Sequence, residues 1–246
     1  MLKKIVLALV VVAVTASFAF AEKTIVIAHD ATWPPMEFVD QNKNIVGYSV
    51  DYCDAIAKET GLKVEHKSVA WDGIFAGLVG RKYDMIASSV SITPERQKKF
   101  DFSDPYFEVT QAVILPADAS GSSLADLKGK TLGGQIGTTG VFMAKRAGGV
   151  KTKEYDEIGF AIEALYTGRI DGVICDDAIA ADYVLRNPKY AGKFKLAFIV
   201  KSDKPEYYGF VVRKGNKELL DKLNKGIAAV KAKGIEDELR KKWIGQ

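Results

Sequence analysis

The stretch Ser88-Ser89-Val90-Ser91-Ile92-Thr93-Pro94-Glu95-Arg96 decides how this chain folds. Just before it, Tyr83-Asp84-Met85-Ile86-Ala87 reads as a short strand, with Met85 and Ile86 the apolar pair. At its end, Thr93 and Pro94 form a helix start. A hydroxyl N-cap is followed by proline at the first helical position, where a missing N–H is harmless. Ser88, Ser89 and Ser91 therefore stand at the carboxyl end of a strand, with Arg96 one turn into the next helix. An open α/β sheet binds ligands in the crevice outside the carboxyl ends of its strands. A guanidinium fork among small donors fits a carboxylate held by two parallel hydrogen bonds. The competing reading makes Arg96 a surface helix arginine and the serines an ordinary loop.

Working outward, Thr24-Ile25-Val26-Ile27-Ala28 is an apolar run with the pattern of a buried strand, ending at His29-Asp30 and a Trp33-Pro34-Pro35 loop. Glu37-Phe38-Val39 and Ile45-Val46-Gly47-Tyr48 flank a turn-forming Asp40-Gln41-Asn42-Lys43-Asn44. Ser49 is placed to cap a helix that stops at Gly61. Trp71-Asp72 leads a helix marked by Ile74, Phe75, Leu78 and Val79. Val109 to Leu115 reads as a strand ending at Pro116, and after a polar segment near residue 117 the strand–helix alternation starts afresh. Thr131-Leu132-Gly133-Gly134 runs into Gln135-Ile136-Gly137-Thr138-Thr139-Gly140 and a helix, and Ile170 to Cys175 is a strand ending at Asp176-Asp177. Phe194 to Val200 and Tyr207 to Arg213 read as further strands, followed by amphipathic helices. Strands alternating with helices twice over predict an α/β protein of two lobes, each with a mostly parallel sheet flanked by helices.

Four strand ends thus bring polar or aromatic residues to crevice positions: Asp30 with Trp33, Ser88 to Arg96, Gln135 to Gly140, and Asp176. The Gly137-Thr138-Thr139-Gly140 turn enters a helix start, whose free N–H groups favour an anion, and it also reads as a plain turn. It lacks the lysine and spacing of a P-loop. Asp176 reads either as a helix N-cap or as a partner for an ammonium group, and Asp30 as a turn residue or a site acid. Trp33 and Trp71 are either core aromatics or flat pocket walls.

Composition narrows the function. Met1-Leu2-Lys3-Lys4, the apolar run from Ile5 to Phe18 and the closing Ala19-Phe20-Ala21 have the layout of a secretory signal peptide with an A-x-A cleavage site. The run is shorter than the roughly 20 apolar residues a membrane anchor needs. Taking Lys3 and Lys4 from the formal charge of +4 leaves +2, too balanced for a nucleic-acid binder. With only His29 and His66 and no Cys/His cluster, no metal site is expected. Cys53 and Cys175 are expected as unpaired thiols. A hydrolase with paired carboxylates is poorly served by Asp176 and Asp177, because adjacent residues do not flank one bond.

Val46-Gly47-Tyr48-Ser49-Val50-Asp51, Ser91-Ile92-Thr93-Pro94-Glu95-Arg96, Phe102-Ser103-Asp104-Pro105-Tyr106 and Gly168-Arg169-Ile170-Asp171-Gly172 together resemble the extracellular solute-binding proteins for polar amino acids that serve ABC importers. The resemblance runs from about Thr24 to Trp243. It implies a two-lobed, Venus-flytrap fold with hinge strands near Val113 to Leu115 and Tyr208 to Val211. Residues 1–21 would be the signal peptide, 22–113 with 208–246 a discontinuous first lobe, and 114–207 the second. Arg96 would grip a ligand α-carboxylate, with Thr138 and Thr139 closing on it. Asp176 would take the α-ammonium with Ser89 and Ser91, and Trp33 and Trp71 would sandwich the side chain. Asp30, Ser88 and Gln135 would meet its distal end. The resemblance implies a periplasmic, monomeric binding protein without cofactor or catalytic residue, delivering the amino acid to membrane permease subunits. Asp30 between two tryptophans suits arginine or lysine first, then glutamine or histidine, because a guanidinium stacks on indole. The architecture also resembles periplasmic cyclohexadienyl dehydratases, which makes a lyase the alternative expectation, and a sensor module feeding a receptor is a further one.

Overall fold

In the computed structural model, residues 23–245 are described. The leader expected over residues 1–21 lies outside the described residues. Among those described, no helix is long and apolar enough to cross a membrane.

Ile25–His29 forms the expected strand and pairs in parallel with Val64–Ser68 on one side and Met85–Ile86 on the other. Val211–Arg213 joins Met85–Ile86 antiparallel, and Phe100–Phe102 closes that edge. A second five-stranded sheet repeats the scheme. Thr131–Gln135 lies parallel to Lys151–Tyr155 and Gly172–Asp176. Gln111–Pro116 and Phe194–Ile199 complete it antiparallel. Both sheets therefore have a parallel half built by strand–helix–strand crossovers and one antiparallel strand, Val211–Arg213 in the first and Gln111–Pro116 in the second, contributed by chain arriving from the other sheet. The helix Lys217–Ala232 packs along the helix Tyr48–Thr60, and Ile235–Trp243 packs on both, so the closing helices return to the first sheet.

The chain passes between the sheets through Phe107–Val109 and Glu206–Tyr208, which pair antiparallel as a separate two-stranded ribbon. This differs from the expected crossing at Val113 to Leu115. Those three residues are fully buried at the centre of a second-sheet strand, so a division at 113/114 would cut a packed ladder. The single apolar run from Val109 to Leu115 is in fact two strands, parted at Thr110. There Asp177 N–H donates to the Thr110 carbonyl, and the Thr110 hydroxyl donates to the Asp177 carboxylate at 2.8 Å. Beneath the ribbon lies an aromatic cluster in which the rings of Tyr106 and Phe210 stack at 4.2 Å and Phe107 stacks on Tyr208.

The first long helix starts differently from the expectation that Ser49 caps it. Its N-cap is Gly47, at φ +134°, and Ser49 is buried inside the first turn with its hydroxyl 3.0 Å from that of Tyr106. A Cβ on Gly47 would lie 2.3 Å from the Met36 carbonyl oxygen. Gly47→Ala therefore combines a left-handed backbone with a clash against main chain, and both penalties fall on the folded state. It is expected to destabilise the protein by about 1–3 kcal/mol in urea titration. An unchanged midpoint would show that this junction relaxes freely.

Cys53 and Cys175 are both free and buried, and burial pushes both thiols well above their ordinary pKa. They serve as small packing residues.

Candidate functional site

The two sheets present their strand ends to each other, and a narrow cavity lies between them. All eleven residues picked out from the sequence line it.

The first sheet supplies one wall. Thr93 caps the short helix as its residue type predicts, its hydroxyl accepting from Arg96 N–H, with Pro94 at the first helical position. This fixes where the Arg96 side chain starts. Its guanidinium donates to the Ser91 carbonyl at 2.9 Å and, across the cleft, to the Gly137 carbonyl at 3.1 Å. The group lies over the rings of Trp71 and Phe75, 5.6 and 5.5 Å from their centroids. Five donors less these two leave N–H groups for an anion. Burial lowers the Arg96 pKa, while Glu206 and Asp176 pull it back up.

Ser88 accepts a hydrogen bond from Asp30 N–H at 2.8 Å, which ties the first strand's end to the serine loop. Ser89 sits at φ +46°, an uncommon conformation for a residue with a side chain. Its hydroxyl donates to Glu37 at 3.1 Å. Glu37 is wholly buried, and that burial raises its pKa well above the carboxylate range.

The second sheet supplies the other wall. Gln135 ends its strand with an amide that donates to Asp30 at 2.7 Å across the cleft and to the Asp156 carbonyl at 2.8 Å. Thr32 holds the other Asp30 oxygen at 2.8 Å. Burial raises the Asp30 pKa, against the lowering effect of the Gln135 and Thr32 bonds. Trp71 Nε1–H donates to the Ile136 carbonyl at 2.8 Å, a further tie between the walls. Thr138 precedes the helix Thr139–Ala147, its hydroxyl bonded back to the Gln135 carbonyl. Thr139 comes within 3.4 Å of the Ser91 hydroxyl. Trp33 is buried, and its indole N–H has no partner among the described residues.

Asp176 is the N-cap residue of the helix Asp177–Ala181 by position, but its side chain makes no capping hydrogen bond. Its carboxylate accepts instead from Gln111 Nε2 at 2.6 Å and from the Tyr208 hydroxyl. Its pKa is pushed up to about 7, chiefly by burial and then by the nearby charge of Glu206; the Tyr208 and Gln111 bonds hold it down. The cap reading therefore gives way to that of a carboxylate aimed into the cavity.

Four polar residues here were not picked out from the sequence: Glu37, Gln111, Glu206 and Tyr208. Gln111 and Tyr208 hide in runs that read as apolar strand. Glu206 follows the charged turn Ser202-Asp203-Lys204-Pro205, where one more acid carries no signal. Its carboxylate accepts from the Thr139 hydroxyl at 2.6 Å. At Gly140 the helix start presses on Gln111, whose Oε1 would lie 2.4 Å from an added Cβ.

A closed cleft carrying one arginine and several carboxylates suits capture of a small charged solute. The sequence relatives agree. "ABC transporter arginine-binding protein 1" of Escherichia coli (strain K12) is 36% identical over 250 residues, covering 100% of each chain. An ancestral arginine-binding protein, solved with arginine, superposes with a TM-score of 0.83 at 42% identity, covering 89% of this chain and 97% of its own. The same description bound to glutamine gives 0.84 at 41% identity, covering 91% and 98%. The arginine-, lysine-, histidine-binding protein ArtJ of Geobacillus stearothermophilus gives 0.82 at 37% identity, covering 91% and 96%. These relatives are binding proteins, not enzymes, and none supports the lyase alternative. The sequence profile of the bacterial extracellular solute-binding proteins, family 3, matches residues 25–246. Two lobes joined by a ribbon and meeting over a polar cavity are what that match leads one to expect, and this chain belongs to the bacterial extracellular solute-binding proteins, family 3.

Proposed function

We propose that this protein captures a free L-amino acid with a cationic or amide side chain, arginine or lysine foremost and glutamine or histidine next, for delivery to an ABC importer. The observation that carries the reading is the charge balance of the cavity. Asp30 and Asp176 line the cavity and Glu206 lies beside Asp176, while Arg96 is the only basic side chain lining it among the described residues. A ligand with two positive groups and one carboxylate complements that set, and an acidic amino acid does not. Arg96 takes the α-carboxylate with its spare N–H groups. Asp176 takes the α-ammonium, and Asp30 with Gln135 meets the distal cation. Trp33 and Trp71 flank the side chain, and Ser88, Ser89, Ser91, Thr138 and Thr139 supply the small donors and acceptors between. The names of the relatives support the same ligand class.

In this reading the ribbon Phe107–Val109 with Glu206–Tyr208 is the hinge. Ligand biases it toward closure, because it binds both walls only when they meet. The mature protein works as a monomer in the periplasm after cleavage near Ala21, and its permease reads the closed form.

A thermal-shift screen of the twenty amino acids tests this. Free ligand at a hundred times its Kd adds about 2.7 kcal/mol, which is about 5–10 °C for a chain of this size. Arginine or lysine is expected to give the largest shift. Glutamate displacing arginine in competition would overturn the ligand class, and a flat response to all twenty would overturn amino-acid capture.

A further inference from the structure

Gln111 stands where the hinge ribbon enters the second sheet, and the groups around it do not balance. Its side-chain nitrogen lies 2.6 Å from Asp176, 3.3 and 3.4 Å from the two oxygens of Glu206, and 3.2 Å from the Thr139 hydroxyl. An amide nitrogen carries two hydrogens and cannot serve four acceptors. The Tyr208 hydroxyl serves one Asp176 oxygen and the Thr139 hydroxyl one Glu206 oxygen. The amide oxygen of Gln111, on a residue only 2% exposed, has no partner among the described residues. Among the described residues, no lysine, arginine or histidine forms an ion pair with either carboxylate. The pocket is short of hydrogens at the point where the ligand's ammonium is expected to bring three.

We propose that Glu206 is a binding residue, and that it forms with Asp176 one acidic pair which holds a single proton until the ligand's ammonium group displaces it. The inference rests on the amino-acid reading above. Asp176 is buried and Glu206 half-buried beside it, and with no cation between two carboxylates that share one amide donor, the buried Asp176 is the one that keeps a proton. When the ammonium arrives, its N–H groups replace that proton, which leaves to solvent while both carboxylates become charged. The other titratable groups around the pair are Asp177 beside it, Glu37 and Tyr208 behind it, and Arg96 across the cavity. Asp177 and Glu37 are acids, which reinforces retention of the proton, and Arg96 opposes it. The elevated pKa of Asp176, which owes part of its rise to Glu206, is in keeping with this. The sign follows: ligand favours the deprotonated pair, so affinity rises with pH up to about 7 and levels off above it.

Calorimetric titration of arginine at pH 6.5, in phosphate and in a buffer of much larger ionisation enthalpy, reads the proton directly. The native protein is expected to show different enthalpies in the two buffers, equivalent to release of a sizeable fraction of one proton. Its affinity is expected to rise between pH 5.5 and 7.5. Glu206→Gln keeps Asp176 for the ammonium and removes the neighbouring charge that adds to the effect of burial in holding the proton. It is expected to bind roughly tenfold more weakly at pH 7.5, with the buffer difference and the pH slope both reduced, the remainder being due to the burial of Asp176. Tight binding by the native protein with equal enthalpies in both buffers would overturn the shared proton and leave the amino-acid reading intact. An unchanged buffer difference in Glu206→Gln would overturn the role of Glu206. Absence of binding to any of the twenty amino acids by the native protein would overturn both.

Discussion

Arg96→Ala is expected to weaken binding of arginine or lysine by ten- to a hundredfold while leaving the melting point of the unliganded protein within a few degrees of the native value. The expectation rests on how the guanidinium is held. Thr93 and Pro94 fix its helix start, the Ser91 carbonyl and the Trp71 and Phe75 rings orient its plane, and two of its five donors are spent on carbonyls. The remaining donors are set in place before any ligand arrives, so their contribution to affinity is not eroded by ordering a flexible side chain. Loss of a charged hydrogen-bond partner costs roughly 1.5–3 kcal/mol, which is the stated factor in Kd. The fold should tolerate the loss. The four-residue helix Pro94–Gln97 is half exposed, and the lost bond to Gly137 belongs to the cleft rather than to either core. Lysine is not an adequate substitute at this position, because a point charge cannot make the two parallel bonds of a guanidinium fork. Calorimetry with Arg96→Ala and Arg96→Lys checks this, and unchanged affinity in the alanine variant would remove Arg96 from the site.

Which parts of this arrangement can be read from the chain depends on whether the decisive interaction is local. Thr93-Pro94 is legible because a cap and its first helical residue act within four positions. The strand ends at Asp30, Gln135 and Asp176 are legible because an apolar run that stops at a polar residue marks where a sheet meets its crevice. Gly47 could not be read as the cap in place of Ser49. What demands a glycine there is the Met36 carbonyl, brought against it by the intervening loop. The break at Thr110 is equally hidden, since it depends on Asp177, distant in sequence and adjacent only after folding. Glu206 is the most instructive omission. One more acid in a charged turn has no local signature, and its meaning comes from sharing Gln111 with a carboxylate on another strand. The family resemblance carried the positions that line the cavity, and did not reach the polar residues behind them.

Asp176→Asn is expected to change stability and binding in opposite directions. In the unliganded protein the carboxyl is buried beside Glu206 and titrates at about 7, above its ordinary value of 3.8. A carboxyl whose pKa is raised by folding costs stability when ionised. That cost is absent below pH 3.8, grows as pH rises towards 7, and is fully present above it. Asparagine has nearly the same shape, and it can accept from Gln111 through Oδ1 and donate to the Tyr208 hydroxyl oxygen through Nδ2. The Gln111 contact survives, the Tyr208 contact reverses its direction, and the ionisation cost disappears. At pH 8 the unliganded variant should therefore melt higher than the native protein, and the difference should shrink as pH is lowered towards 5. Arginine affinity should nonetheless fall by ten- to a hundredfold, because the ammonium loses the charged acceptor that the buried site holds for it. A residue kept for packing alone would not separate the two measurements in this way. Were Asp176 an ordinary helix cap, the substitution would leave both nearly unchanged, since asparagine caps as well as aspartate. A lower melting point with unaltered affinity would contradict the role given to Asp176. A higher one with weakened binding would show a buried charge retained for the ligand at the expense of the fold.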